Sequence, residues 1–292
     1  MTKTRRRIVG AAVAIALIGG LGLAARPHAR RAAAAAIVLA PNHGAPEPPP
    51  MNGEIRVPVR DASIAVEIVD APSPTATVFV LHGIRDRRDS MRGIANAFAS
   101  HGVRAVLVDL RGHGRSTGDF LSYGVVERVD LATVATTLGE RGQIAGPLGV
   151  YGYSYGAATA IEWAASDPRI RAVVAVAPFA SLRAIVPEYT PLPLPGGFVN
   201  ECVDEAGREG GFDPDSASPL DAVTKTAVPV LVVHGDADER IPLAHSQRIA
   251  TAGAGHTELI VVPGENHESI GADATGTLRD RAIPWLVGKL AP

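Results

Sequence analysis

The chain has 292 residues, 46% of them apolar, one cysteine and a formal charge of −2. That length and apolar content suit one large domain with a sizeable core, and Cys202 alone excludes an intrachain disulfide or a cysteine-built zinc site. The charge is uneven: residues 1–31 carry seven Lys/Arg and no acid, leaving 21 basic against 30 acidic residues, an acidic body that argues against nucleic-acid binding.

At the amino terminus Arg5-Arg6-Arg7 precede an uncharged run, Ile8–Ala25, which Arg26 closes. As a helix rising ~1.5 Å per residue, the run spans about 27 Å, close to the ~30 Å thickness of a bilayer core. Residues 1–31 are therefore expected to be a signal-anchor, its basic end in the cytosol and the catalytic domain extracytoplasmic and membrane-anchored. Cleavage near Gly22-Leu23-Ala24, releasing a secreted or periplasmic protein, is the alternative. Ala32–Leu39 is alanine-rich, and Pro41–Gly53 contains Pro46, Pro48, Pro49 and Pro50. Residues 32–53 are accordingly expected to form a stiff linker, with the globular domain running over 54–292.

Within that domain Ile55–Arg60 and Ile64–Val69 alternate with period two and predict an opening antiparallel hairpin. Thr77–Leu81, Ala105–Val108, Pro147–Tyr151, Arg171–Val176, Val228–Val233 and Glu258–Val262 are short apolar runs, as parallel strands covered on both faces require. Helical spacing appears over Ser90–Ser100, Tyr123–Leu138 and Thr277–Leu290, and a further helix follows Ala157. Strands alternating with helices predict an α/β fold with a doubly wound, mostly parallel sheet. Phe179–Leu220 breaks this rhythm with several prolines and glycines, and such long connections are commonly functional.

Three segments carry chemistry. Gly152-Tyr153-Ser154-Tyr155-Gly156 follows a strand and opens a helix, the setting of a serine held on a sharp turn whose crowding demands glycine. His234-Gly235-Asp236-Ala237-Asp238 continues to Ile241-Pro242 after another strand, and Gly264-Glu265-Asn266-His267 follows the last. A serine hydroxyl needs a base to remove its proton, and the base needs a carboxylate to fix its tautomer. Ser154, His267 and one aspartate of the shared loop would meet those needs. Read singly, each has a duller explanation: Ser154 as a helix N-cap, His267 as a surface-loop residue.

In these segments the chain resembles the α/β-hydrolase superfamily, and within it the small-cap esterase and serine-aminopeptidase-like group, over residues 54–292. The resemblance implies a Ser154–His267–Asp238 triad acting through an acyl-enzyme, with Asp238 favoured over Asp236 by its spacing to Ile241-Pro242. It implies an oxyanion hole built from the backbone amides of Tyr155 and of Ile84, in His82-Gly83-Ile84-Arg85. It assigns 179–220 to a small cap, and Asp109–Ser116 to a brace for the nucleophile turn. The expected activity is hydrolysis of carboxylic esters of a small acyl substrate. Amide, peptide or thioester hydrolysis on the same triad is the alternative, and a non-catalytic binding protein on this fold is the rival of another class. His-Glu-x-x-His and phosphate-cradling glycine loops are absent, so neither metal nor organic cofactor is expected.

Overall fold

The computed structural model describes residues 26–189 and 194–291. Eight strands form one sheet: β1 (Glu54–Pro58), β2 (Ser63–Val69), β3 (Ala76–Leu81), β4 (Val103–Val108), β5 (Leu148–Tyr153), β6 (Ile170–Val176), β7 (Val230–Gly235) and β8 (Thr257–Val262). Their spatial order is β1-β2-β4-β3-β5-β6-β7-β8. The first two pairings are antiparallel and the rest parallel. The principal helices are α1 (Arg26–Val38), α2 (Arg92–Ser100), α3 (Glu127–Glu140), α4 (Tyr155–Ser166), α5 (Gly196–Gly210), α6 (Ala244–Ala252) and α7 (Ile283–Lys289). This is the mostly parallel α/β architecture the sequence predicts.

Every residue of β3 is buried, because helices cover both faces of the sheet. On one face Val78 and Val80 meet Phe98 of α2 and Leu286 of α7. On the other, Phe79 packs edge-on against Trp163 of α4 at 5.0 Å. Each such buried aliphatic or aromatic side chain contributes about 1.5–3 kcal/mol. α3 starts at Glu127, four residues later than the apolar spacing suggests. Tyr123 and Gly124 hold left-handed φ values of 57° and 107°, which no α-helix accepts. The Glu127 carboxylate fixes that turn by accepting the amides of Ser122 (3.0 Å) and Gly124 (2.9 Å).

The segment before the sheet differs from the linker expected over 32–53. Helix α1 lies against α5 with Ala29, Ala33, Ala34, Ile37 and Val38 buried. Alanine lets two helix backbones approach closely, and ion pairs from Arg26 to Glu201 (2.6 Å) and Arg30 to Glu205 (3.3 Å) flank the contact. Beyond it Leu39 bridges Phe120, and the Asn42 amide donates to the carbonyls of Gly114 (2.9 Å) and Ser116 (3.1 Å). Even the proline stretch is tied down, through a hydrogen bond from Arg115 to the Pro49 carbonyl.

The membrane expectation is corrected as well. The run Ile8–Ala25 lies outside the described residues, and among the described residues no helix is long and apolar enough to cross a membrane. Helix α1, which follows that run in sequence, is buried against α5. The anchored extracytoplasmic placement, its secreted or periplasmic alternative and the membrane as a partner are therefore not retained.

Candidate active site

Strand β5 delivers Ser154 to the carboxyl edge of the sheet, where α4 begins. Ser154 holds φ 54° and ψ −113°, a conformation costly for a residue with a Cβ and one that persists only when its surroundings enforce it. They do so through the glycines. A Cβ on Gly152 would lie 2.2 Å from the Gly156 carbonyl oxygen, and one on Gly156 would lie 2.6 Å and 2.7 Å from the carbonyl oxygens of Leu81 and His82. Gly156→Ala should therefore push α4 away from the end of β3. It should lower stability by about 1–3 kcal/mol and reduce turnover per folded molecule, measured by urea unfolding beside active-site titration. Wild-type values for both would show that the close approach is unnecessary.

Asp238 sits in the loop after β7, and His267 opens a short helix, His267–Gly271, after β8. Asn266 and Ser269 form a reciprocal capping box there, which fixes where that helix starts. Ser154, Asp238 and His267 are 5%, 7% and 4% exposed. His267 Nε2 lies 3.0 Å from Ser154 Oγ, and its Nδ1 lies 2.7 Å from Asp238 Oδ2. An ionised carboxylate only accepts, so Nδ1 carries the proton and Nε2 is left to accept from the serine hydroxyl. Burial raises the Asp238 pKa, yet the hydrogen bonds from His234, His267 and the Ile241 amide outweigh it and hold it well below the usual carboxylate range. Its other oxygen accepts the amides of Arg240 and Ile241, both at 2.9 Å. Asp236 is exposed and turned to the Gly264 amide (2.7 Å), so the loop's two aspartates point to different tasks.

The Gly83–Asp86 turn follows β3, and a Cβ on Gly83 would lie 3.5 Å from the Ser154 Cβ. Among the described residues the amides of Ile84 and Tyr155 have no protein acceptor. His82 holds this turn in place. Its Nδ1 donates to the Gly83 carbonyl (2.7 Å), and its Nε2 accepts the Leu110 amide (3.0 Å). Burial lowers its pKa and keeps the ring neutral. The Gly83 carbonyl and the Ile84 amide belong to one planar peptide, so holding one aims the other. The Asp109–Ser116 loop, expected to brace the nucleophile turn, thus reaches the site through His82.

Two further residues support the base and the acid. The Tyr153 hydroxyl donates to the His267 carbonyl (2.7 Å), and its ring lies 5.2 Å from the imidazole. His234 Nε2 donates to the Ile241 carbonyl (2.8 Å) and also lies 3.3 Å from Asp238 Oδ2. The only sequence signals for these residues were a second tyrosine beside the nucleophile and the histidine opening the acid loop. In the insertion, α5 buries Phe198, Val199, Cys202 and Val203 against the domain and α1. Burial pushes the Cys202 thiol up to about 11, which makes it unreactive. An open cleft of about 490 Å³ on this insertion, bordered by Arg183, Asp204, Phe212 and Asp215, shares no residue with the Ser154 site.

Within the nucleophile helix α4, Glu162 is fully buried, and neither carboxylate oxygen makes a hydrogen bond of normal geometry. Arg128 stays 3.9 Å away, and the Ser218 amide lends only a weak favourable pull. Burial raises the Glu162 pKa well above its ordinary 4.5. From pH 4.5 upward the unfolded chain releases this proton while the native protein keeps it, so stability should fall with rising pH. Glu162→Gln should remove that loss, giving urea midpoints that match wild type near pH 4 and exceed it increasingly toward pH 9. A gap independent of pH would contradict the assignment.

The chain matches the family model described as "Serine aminopeptidase, S33" over residues 72–203. An uncharacterised Bacillus subtilis protein, YqkD, is 29% identical over 210 residues, covering 68% of this chain and 67% of its own. An uncharacterised Escherichia coli K12 protein, YfhR, is 24% identical over 227 residues, covering 76% and 74%. Among solved structures, the Pyrococcus furiosus esterase Pf2001 superposes with a TM-score of 0.68 at 20% identity, covering 82% of this chain and 92% of that one. Est1E from Butyrivibrio proteoclasticus, solved with ferulic acid bound, gives 0.61 at 18% identity, covering 80% and 99%.

Proposed function

We propose that this chain, which belongs to the α/β-hydrolase superfamily, is a serine hydrolase of carboxylic esters acting through an acyl-enzyme. The observation that carries the reading is the continuous hydrogen-bonded line from Asp238 through His267 to Ser154. Ser154 Oγ attacks the ester carbonyl as His267 Nε2 takes its proton, and Asp238 stabilises the imidazolium that forms. The amides of Ile84 and Tyr155 receive the developing oxyanion, where losing one such donor costs about 100-fold or more in rate. His267 then protonates the departing alcohol. A water molecule, deprotonated by the same nitrogen, releases the acid and restores Ser154.

The esterase neighbours support an ester substrate, and the aminopeptidase description of the family model favours a second reading, amide hydrolysis on the same residues. A panel of p-nitrophenyl esters from acetate to palmitate, assayed beside aminoacyl p-nitroanilides, separates the two. The ester reading expects turnover on short esters well above that on every amide. Turnover confined to the amides would overturn it. The mutual hydrogen bonding of all three side chains argues against a binding protein that merely borrows the fold.

A further inference from the structure

Among the described residues, one exposed cation beside the site, Arg85, has no ion-pair partner. Arg85 directly follows Ile84 and is exposed, and among the described residues its side chain enters no ion pair or hydrogen bond. Its neighbours on this rim are all engaged. Arg87 reaches Asp89 (3.4 Å), Arg88 is buried between Glu54 (2.8 Å) and Asp109 (2.9 Å), and Arg240 is paired with Glu268. Asp86, the nearest anion in sequence, accepts the Arg87 amide (2.8 Å) on one oxygen and the Ser90 hydroxyl (2.6 Å) on the other.

The placement of Arg85 is enforced. The Asp86 amide donates to the Gly83 carbonyl (3.3 Å), closing a tight turn with Arg85 near its tip. There Arg85 holds a left-handed φ of 59°, which disfavours any side chain and marks a position set by its surroundings. Two residues span at most ~7 Å, so Arg85 begins close to Gly83, whose Cβ direction ends 3.5 Å from the Ser154 Cβ. An arginine stem starting from that point is long enough to bring its guanidinium to a group bound at the nucleophile. The Tyr123 phenol, whose pKa burial raises, feels the opposing charge of Arg85. Tyr123 packs on Tyr155 (5.5 Å) and Phe179 (6.0 Å), the aromatic group beside the nucleophile.

We propose that Arg85 is a specificity-determining residue that selects esters bearing a carboxylate a few bonds from the scissile carbonyl. This rests on the ester-hydrolase reading above and adds a substrate class to it. A guanidinium meets a carboxylate through two parallel charge-assisted hydrogen bonds, which a neutral ester cannot reproduce. The carboxylate would sit either on the acyl chain or on the departing alcohol, and the test separates these.

The full chain is assayed on mono-ethyl glutarate and mono-ethyl adipate against ethyl valerate, and on 4-acetoxybenzoate against phenyl acetate. In one of the two arms kcat/KM should favour the anion by about tenfold at low salt, and the ratio should shrink at high salt. Arg85→Gln should bring that ratio to one or below, while Arg85→Lys keeps part of it. Wild-type rejection of the anion in both arms, or a ratio unaltered in Arg85→Gln, overturns the proposal. Absence of turnover on every ester overturns the ester reading and this proposal together. Turnover with an unaltered ratio overturns this proposal alone.

Discussion

Replacing Ser154 by alanine should reduce turnover by about a million-fold, and His267→Ala by a similar factor, because nucleophile and base act as one unit. Asp238→Asn should cost about ten-thousand-fold, since an asparagine amide lets the imidazole carry its proton on the nitrogen facing the serine. Asp236→Asn is the internal comparison. Its carboxylate is exposed and bonds the Gly264 amide, so its turnover should stay within a few-fold of wild type. Far-ultraviolet circular dichroism and thermal unfolding on each variant separate lost chemistry from lost fold. Should Asp236→Asn be crippling and Asp238→Asn be near wild type, the acid has been assigned to the wrong residue. Full turnover by Ser154→Ala would remove the mechanism altogether.

A chain beginning at Met51 should be destabilised by about 4 kcal/mol or more, at the ~1.5–3 kcal/mol that each buried aliphatic side chain contributes. Truncation exposes the face of α5 that α1 covers and removes Ile37 and Val38 from the core. It also removes the Leu39–Phe120 bridge and the Asn42 bonds to the loop after β4. Set against a typical stability of about 5–15 kcal/mol, the loss should appear as a much lower urea midpoint and as dye binding to newly exposed apolar surface. Val38→Asp in the full chain should act in the same direction, because an aspartate there is buried without a partner. A truncated chain as stable as the full one would return residues 32–53 to the role of a linker.

Most of the sheet was legible in the sequence because its signals are local. Each strand is a short β-branched run between turn residues, and all eight appear within a few residues of where periodicity places them. The candidate site was legible for a related reason: each residue sits just past a strand, in a motif whose glycines answer a steric demand. Residues that act across the fold gave no such signal. Tyr153 reaches the His267 carbonyl over 114 residues of chain, and His82 reaches the Leu110 amide over 28. The linker expected over residues 32–53 failed for a physical reason. An alanine-rich stretch carries no signal of what it packs against, and its partner α5 lies far along the chain. Helix α5 itself was obscured by Pro195, Gly196 and Gly197, although Phe198, Cys202 and Ala206 behind them repeat every four residues.

The central claim is that Ser154 is a nucleophile activated by His267, and covalent trapping tests it most directly. The full chain is incubated with a fluorophosphonate probe, its intact mass recorded and the modified peptide sequenced. One adduct per chain is predicted, on Ser154, absent from Ser154→Ala and formed far more slowly in His267→Ala. No adduct on the wild-type protein, or an adduct on another residue, would contradict the account.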